Sequence, residues 1–498
     1  MASTGKESKH LAVDHPRDVT SNPLHWYQQP KLRQLYIKMV ILFLASTSLG
    51  YDASLLNGLQ TMRSWAAYFD NPTGSRLGLF GALPGIGTFA VFMVAPYISD
   101  GLGRRLGTAI GSAVIVLGAL IQTFPPKSTG ARRDGMYLAG RIIVGIGSGI
   151  CNGSCPLLIT EVAHPTHRGK ITTIYNTLWY LGAIVAAWST FGTLENLSGD
   201  VQWQLPTALQ ALMPDILTEY HGNGDENDAF VRWEFAEIRE TLRLEQEAAS
   251  TGWKELIRTR GNRKRCLLIV LTAIFSQCSG NGLVSYYLSQ VLKTIGFTDS
   301  KTQAEINGGL TIWCFLVSLA AAFLVDRFGR KTLFLFAGIG MLISFTVWTA
   351  CSAVYAQTES APAGRAVLAM IFLFYGTAGA AWPGLTVAYT VEILPFNIRA
   401  KGLTLCTCVA ALAGIYNQYV NPLGLEALGW KFYFVYVAVL VIECLVIWFY
   451  FVETRGPTLE EIAVLFDGQD AAANMAAEKA KKADEPTSYH KETIPDRG

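Results

Sequence analysis

The stretch KFYFVYVAVLVIECLVIWFYF at residues 431–451 contains two charged side chains in 21 positions, Lys431 at its start and Glu443 within it. A helix rises about 1.5 Å per residue, so this stretch is about 32 Å long and can cross the roughly 30 Å hydrocarbon core of a bilayer. Its apolar residues run continuously instead of alternating, which excludes a membrane β-strand. The stretch therefore predicts a membrane-spanning helix.

Ten further apolar runs precede it in the chain. They cover roughly 36–56, 77–99, 106–124, 136–159, 171–193, 267–291, 306–325, 333–354, 366–390 and 403–422. Over all 498 residues, 51% are hydrophobic and 16% are charged, where an ordinary soluble domain has about 25% charged residues. The sequence therefore predicts an all-α integral membrane protein with about eleven spanning helices.

The composition also excludes several classes of function. A net charge of +2 without a concentrated basic face is not that of a nucleic-acid-binding protein. Most of the nine cysteines lie inside apolar runs. Cys151 and Cys155, and likewise Cys406 and Cys408, are close in sequence, but no further His or Cys lies nearby to complete the four ligands of a metal site, which indicates buried thiols. Because no nucleophile–base arrangement emerges either, we predict neither an enzyme nor a bound cofactor. The first 33 residues are polar and predict no cleavable signal peptide.

A charge motif occurs twice. DGLGRR at 100–105 follows the second run, and DRFGRK at 326–331 follows the seventh. A second pattern follows each copy: a glutamate that stands seven residues before an arginine. The pairs are Glu161 with Arg168, 61 residues after Asp100, and Glu392 with Arg399, 66 residues after Asp326. This order indicates two homologous halves in parallel orientation, an architecture in which transporters bind their solute between the halves.

The repeated charges predict a cytosolic gate. A glycine turn joins adjacent helices tightly, and its bases can pair with the acid of the second motif. Such pairs would hold the gate shut and break when the halves move; the alternative is that the bases only mark the cytosolic face. The predicted gate residues are Asp100, Arg104, Arg105, Glu161, Arg168, Asp326, Arg327, Arg330, Glu392 and Arg399.

The runs and the polar stretches between them predict five regions. These are a cytosolic N-terminal tail at 1–34, an N-terminal helical half at 35–213, a cytosolic linker at 214–265, a C-terminal helical half at 266–452 and a cytosolic C-terminal tail at 453–498. The basic cluster at the end of the linker suits a cytosolic anchor beside a membrane helix.

Taken together, these features resemble a sugar porter of the major facilitator superfamily, and within it the fungal lactose-permease-like and hexose-transporter-like members. The matching stretches are Gly140-Arg141, Glu161 with Arg168-Gly169-Lys170, 326–331, Glu392 with 399–402, FSQCSGNG at 275–282 and Glu453-Thr454-Arg455-Gly456. The resemblance covers about 26–466. It implies a monomeric, multi-pass transporter of the plasma membrane that alternates access to its site.

The resemblance also implies a sugar site. Its residues would be Asn176, Gln277, Asn281, Trp382, Asn417 and Gln418, with Tyr286 and Tyr287 as an extracellular gate. Amides suit a hydroxyl-rich ligand because they offer both donors and an acceptor. The alternative is that such amides only join helices. The family's usual Asn falls at Gly282 and its Trp at Val387, so Asn281 and Trp382 would be substitutes.

Asp52 and Arg141 predict a coupling site for protons. Asp52 lies about 16 residues into the first run, and Arg141 about five residues into the fourth. Since these two helices run in opposite directions, both side chains come to nearly the same depth. An ionisable group inside the membrane is expensive and indicates function by default. In the resembled family, an acid at this place accompanies proton symport; the alternative is a purely structural pair.

The sixth helix of the family is incomplete in this sequence. Residues 203–213 match its start, but 215–220 match a segment that normally follows well beyond its end. About 11 residues reach only some 17 Å, too short to cross a bilayer. Five crossings would place the basic linker outside, against the positive-inside rule. Either 203–220 crosses in a strained form, or the chain is a truncated variant.

The sequence thus predicts a proton-coupled importer of a sugar, either a lactose-type disaccharide or a hexose. The coupling ion would be H⁺, with no cofactor. Three alternatives stay open: a facilitative sugar uniporter, a non-transporting sugar sensor, and an inactive truncated transporter. The short tail after Asp467 speaks against a sensor, and Asp52 against a uniporter.

Overall fold

A computed structural model describes residues 30–92, 94, 104–127, 130–162, 168–215, 253–455 and 466, with only the backbone described at some helical positions. In the N-terminal half the helices are α1 Pro30–Leu59, α2 Arg63–Tyr68, α3 Gly74–Phe92, α4 Arg104–Thr123, α5 Ala131–Val162, α6 Arg168–Asn196 and α7 Val201–Asp215. They pack closely: a Cβ added at Gly145 of α5 would lie 2.1 Å from the Pro84 carbonyl oxygen of α3.

The C-terminal half contains nine described α-helices and one short 3₁₀ helix. They are α8 Glu255–Arg258, α9 Arg260–Cys278, α10 Asn281–Thr294, α11 Ser300–Phe328, α12 Arg330–Thr358, α13 Ala361–Gly379, α14 Trp382–Ile393, α15 Phe396–Leu428, the 3₁₀ helix Gly429–Phe432, and α16 Tyr433–Tyr450. The predicted all-α membrane fold is confirmed. By length and apolarity, six helical stretches of the described residues can each cross a membrane.

Two of the apolar runs fold as broken helices. The run at 267–291 is divided between α9 and α10, and the run at 366–390 between α13 and α14. At the first break Gly280 has a φ of +95°, which a residue with a side chain adopts only with strain. At the second, Ala381 leaves the helical region and Pro383 follows at the start of α14. Breaks at membrane depth are tolerated where they are buried in protein or line a cavity.

The helix at the sixth position is short. α7 has 15 residues, which corresponds to about 22 Å. It begins two residues earlier and ends two residues later than the matching segment in the sequence. It is anchored near its start, where Trp203 is fully buried against Tyr68 and Phe69. The number of complete crossings in this half stays a prediction, because 216–252 lie outside the described residues.

The two halves meet mainly through two pairs of described helices, α3 on α15 and α6 on α11. In addition, α1 contacts α10 and α11. We call the end of the bundle that carries Arg330 and Glu392 cytosolic, following the predicted preference of basic residues for that side, and the opposite end outer.

Candidate functional site

A cavity of about 240 Å³ lies between the halves. The N-terminal half contributes α1 and α6 to its wall. The C-terminal half contributes α11 and the two broken helices, α9 with α10 and α13 with α14. Its polar groups include the amides of Asn57, Gln277, Asn281 and Asn307. A cavity bounded by two halves that can move relative to each other suits a solute carried by alternating access.

The cavity brings together three of the predicted sugar residues. Gln277 lies at the end of α9, Asn281 at the start of α10 and Trp382 at the start of α14, so each sits beside a helix break. Gln277 is only loosely held, by a 3.4 Å contact from Nε2 to the Ser276 hydroxyl. The buried Nε1 of Trp382 has no hydrogen-bond partner among the described groups. Gln277 can therefore offer hydrogen bonds to a ligand, whereas the Trp382 Nε1 is not exposed to the cavity.

Both ends of the Asn281 amide are already hydrogen-bonded within the protein. Its Nδ2 donates to the Ser276 carbonyl at 2.9 Å, and its Oδ1 accepts from the Gly282 amide at 3.0 Å. These bonds cap the break between α9 and α10, so Asn281 shapes the site as well as lining it. Tyr375, on α13, donates to the Asn281 carbonyl and lies 2.8 Å from the Ser285 hydroxyl.

The other predicted sugar residues lie elsewhere. Asn417 Nδ2 donates to the Gln277 carbonyl at 2.5 Å, and its Oδ1 accepts from the Tyr436 hydroxyl at 2.9 Å, so its amide joins α15 to α9 and α16. Gln418 lines a second cavity, described next. The side chain of Asn176 is outside the described residues, although its backbone belongs to α6.

The predicted pair of Asp52 and Arg141 forms. Arg141 Nη1 lies 3.2 Å from Asp52 Oδ1, and its Nε donates to the Phe80 carbonyl at 3.2 Å. Both residues are buried, Asp52 being 8% exposed and Arg141 4%. They line the second cavity, of about 210 Å³, together with Gln418.

Two aromatic residues border both cavities. Trp179 of α6 and Tyr286 of α10 line the cavity with Gln277 and also the cavity with Asp52, as does Ala53 of α1. A ligand that displaced either ring would also change the surroundings of the ion pair. This common wall offers a physical route for coupling between the two sites.

The predicted gate tyrosines differ in role. Tyr286 lines the cavities, and its carbonyl accepts from Nε2 of Gln60, which directly follows α1, at 2.7 Å. Tyr287 is fully buried at a kink of α10, where its φ is −137° and its ψ 29°. Its hydroxyl donates to the Gln418 carbonyl and lies 2.6 Å from the position that a Cβ at Gly81 of α3 would occupy.

Polar contacts close the outer end between the halves. Asn57 of α1 donates from Nδ2 to Asn307 Oδ1 of α11 at 2.9 Å and accepts at Oδ1 from the Leu288 amide at 3.1 Å. Nearer the surface, Lys301 Nζ lies 2.9 Å from Glu195 Oε2. Thr73 and Ser75 at the start of α3 also bond to side chains at the end of α15. The structure is therefore a state that is closed on the outer side.

Replacing Asn57 by Ala is expected to open the outer end. The loss of several buried hydrogen bonds should shift the equilibrium by about 1–3 kcal/mol, or roughly fivefold to 150-fold. A cysteine introduced at Thr311, in the cavity wall, should then react faster with an impermeant thiol reagent added outside. Thr61→Ala is the control, because the Thr61 hydroxyl bonds to Gly58 within its own segment. Equal rates in both variants would contradict this role of Asn57.

The described part of the predicted cytosolic gate lies within the C-terminal half. Arg330 at the start of α12 pairs with Glu392 of α14, the Nη2–Oε1 distance being 2.9 Å. Glu392 also accepts from the Thr454 hydroxyl, and Glu453 accepts from the Arg330 and Lys331 amides at 2.8 and 3.1 Å. The described contacts of this cluster thus tie α12 and α14 to the segment after α16.

Arg399, also predicted for the gate, donates from Nη2 to the Leu394 carbonyl at 3.4 Å. The remaining gate predictions are not tested by side-chain positions. Asp100 lies outside the described residues, and so do the side chains of Arg104, Arg105, Glu161, Arg168, Asp326 and Arg327.

Sequence reasoning missed several residues of the site. Asn57, Asn307, Trp179 and Tyr375 all line the main cavity, but Asn57 directly follows the first apolar run, the other three lie inside apolar runs, and none belongs to a recognised motif. The available signal was weak: a single amide or aromatic residue in a membrane helix more often joins helices than binds a ligand. Their convergence becomes visible only when the helices are assembled.

The chain matches a known protein family over most of its length. The family model described as "Sugar (and other) transporter" matches residues 38–219 and 222–466. The two matched segments adjoin at 219–222, a few residues beyond 213–215, where the sequence predicts that part of the sixth helix is missing.

Individual proteins are similar as well. The hexose transporter HXT9 of Saccharomyces cerevisiae is 24% identical over 495 residues, covering 90% of this chain and 86% of that one. The inward-open structure of the xylose transporter XylE from E. coli has a TM-score of 0.70 at 19% identity, covering 87% of this chain and all of that one. Another XylE structure, described as a proton:xylose symporter bound to 6-bromo-6-deoxy-D-glucose, has a TM-score of 0.68 at 21% identity, with 87% and 99% covered.

Proposed function

Because the chain belongs to the sugar porter family of the major facilitator superfamily, we propose that it imports a hexose together with a proton across the plasma membrane. The observation that carries this proposal is the cavity between the halves, whose amides adjoin a buried Asp–Arg pair across a shared aromatic wall. The hexose transporter and the proton:xylose symporter among the similar proteins support both parts of the proposal.

A hexose is favoured over a disaccharide because a hexose transporter is among the similar proteins. In the cavity, Gln277 and Asn307 supply donors and acceptors for the hydroxyl groups of the sugar.

The proposed cycle uses the pair of Asp52 and Arg141 as a proton switch. In the outward-open state Asp52 takes up a proton and releases Arg141. Sugar binding then favours the outer-closed state, in which the ion pair forms again and the proton leaves on the cytosolic side. The Trp179 and Tyr286 rings, which contact both cavities, would link the two events.

The direct test is uptake in a yeast that lacks its own hexose transporters. Labelled glucose should accumulate and the unbuffered external medium should become alkaline, while labelled lactose should enter much more slowly. Glucose uptake without a pH change would indicate a uniporter. Surface expression without uptake of either sugar would contradict the proposal, and would agree with a sensor or an inactive variant.

Replacing Gln277 by Ala is expected to weaken sugar binding. Losing one hydrogen bond of about 1 kcal/mol should raise KM roughly fivefold and change the maximal rate little. Gln290→Ala is a matched control, since Gln290 lies on α10 but lines a separate cavity near the outer end. If both variants have the KM of the wild type, Gln277 does not bind the sugar.

A further inference from the structure

Glu443 is an acid in the middle of the last membrane helix. It is fully buried, and one of its oxygens, Oε1, has no hydrogen-bond partner among the described groups. The other, Oε2, is hydrogen-bonded to the Ser279 hydroxyl at the end of α9. α12 packs against Glu443 at Gly338, where an added Cβ would lie 3.7 Å from Glu443 Oε1.

The hydrogen bonds around Ser279 decide the protonation state of Glu443. The Ser279 hydroxyl lies 2.5 Å from the Phe275 carbonyl oxygen, which can only accept. A hydroxyl has one hydrogen, so its bond to Glu443 must be donated by Glu443 if both contacts are to be hydrogen bonds. Glu443 can donate only as the neutral acid.

The surroundings of Glu443 favour the same state. Among the described residues it takes part in no ion pair. The titratable groups in this region are the thiols of Cys278 on α9 and Cys444 on α16, and the hydroxyl of Tyr436. The Tyr436 hydroxyl is hydrogen-bonded to the side chains of Asn417 and Asn421. Lys331 of α12 donates to the Trp448 carbonyl, more than one helical turn away. An unpaired carboxylate buried here would be costly, whereas a neutral acid is not.

Ser279 stands at the break of a membrane helix. It follows the last residue of α9 and precedes Gly280, whose positive φ starts α10. Gln277 lies two residues before it and Asn281 two residues after it. We propose that Glu443 is held as a neutral carboxylic acid and, through its hydrogen bond to Ser279, positions this break and with it the two amides of the sugar cavity.

The first test is infrared spectroscopy of the purified protein in lipid at neutral pH, without sugar. The spectrum of the wild type minus that of Glu443→Gln should contain the carbonyl band of a protonated carboxylic acid. Glu426→Gln is the control, because Glu426 is exposed at the outer end and should lose a carboxylate band instead. If Glu443→Gln also loses only a carboxylate band, the proposal is overturned.

The second test addresses positioning and also needs no sugar. A glutamine amide can donate to Ser279 as a neutral acid does, so Glu443→Gln should keep the slow hydrogen exchange of the 279–284 amides. Glu443→Ala and Ser279→Ala should exchange at least about tenfold faster there, the equivalent of one lost hydrogen bond. Faster exchange in Glu443→Gln than in the wild type, or unchanged exchange in Ser279→Ala, would refute positioning.

A third measurement rests on the proposed function. Glu443→Gln should keep the KM for hexose, and Ser279→Ala should raise it about tenfold with little change in maximal rate. If the wild type transports no hexose, the proposed function fails, while infrared spectroscopy and hydrogen exchange still decide the role of Glu443.

Discussion

Asp52→Asn is expected to abolish sugar accumulation while leaving some equilibrative exchange. The variant removes the group proposed to carry the proton, so uptake should no longer alkalinise the medium. It also leaves the Arg141 guanidinium, 4% exposed, without its counter-charge. Breaking a buried pair by removing one partner typically costs 3–5 kcal/mol. We therefore expect a fall in concentrative uptake of at least about a hundredfold, together with lower thermal stability.

A double variant separates coupling from stability. Asp52→Asn with Arg141→Gln removes both charges, so the cost of an unpaired buried charge disappears and stability should recover in part. Coupling should not recover, because no acid is left to carry the proton. The measurements are accumulation of labelled glucose, external pH and the melting temperature in detergent.

Asp200→Asn provides the matched control. Asp200 pairs with Lys127 at the outer surface, where Lys127 is 80% exposed and the pair lies outside the membrane. Exposed pairs contribute about 0–1 kcal/mol, so this variant should transport like the wild type. Proton-coupled accumulation that survives in Asp52→Asn would show that the pair of Asp52 and Arg141 is only structural.

The depth of Asp52 and Arg141 could be predicted because helix geometry is regular. A fixed rise per residue places two groups in antiparallel helices at comparable depth, whatever their neighbours are. The same regularity explains why the apolar runs predict the fold. It fails at the breaks, since backbone that leaves the helical path at Gly280 or Ala381 reorients every side chain nearby.

Asn417 is an example of a side chain whose contacts helix geometry did not predict. A ligand role was predicted for it, but the break at Gly280 places its amide on the Gln277 carbonyl. The same contact gives a physical reason for the unusual glycine at 282. A Cβ there would lie 2.1 Å from Asn417 Nδ2, so a side chain at 282 and the observed position of Asn417 exclude each other.

Restoring the sixth helix is the second change with a large expected effect. α7 is held at its outer part: the Tyr51 hydroxyl donates to the Pro206 carbonyl at 2.6 Å, and Gln122 Nε2 donates to Gln210 Oε1 at 2.6 Å. Gln122 is one residue from the outer end of α4, and Asp215 is only five residues, or about 7–8 Å, beyond Gln210. The helix therefore ends far short of the cytosolic side.

The following sequence cannot complete the crossing. Residues 215–228 read DILTEYHGNGDEND, which is too polar to continue through hydrocarbon. The last carbonyl groups of α7 have no partners within the helix, and such groups are costly at membrane depth. An inner half of the bundle that lacks this helix should also pack less well around α1 and α4.

We expect an insertion after Met213 that supplies the rest of a family sixth helix to raise glucose uptake by at least about tenfold, since it removes both a helix end at membrane depth and the topological conflict. A Gly/Ser insertion of equal length at the same place is the control, because it restores length without apolar surface. Tags on the 214–265 linker should become cytosolic only with the helical insertion. The contrary outcome is that the unmodified chain already has a cytosolic linker and transports as well as the restored one. Residues 201–228 would then cross the membrane despite their polarity, and no part of the sixth helix would be missing for function.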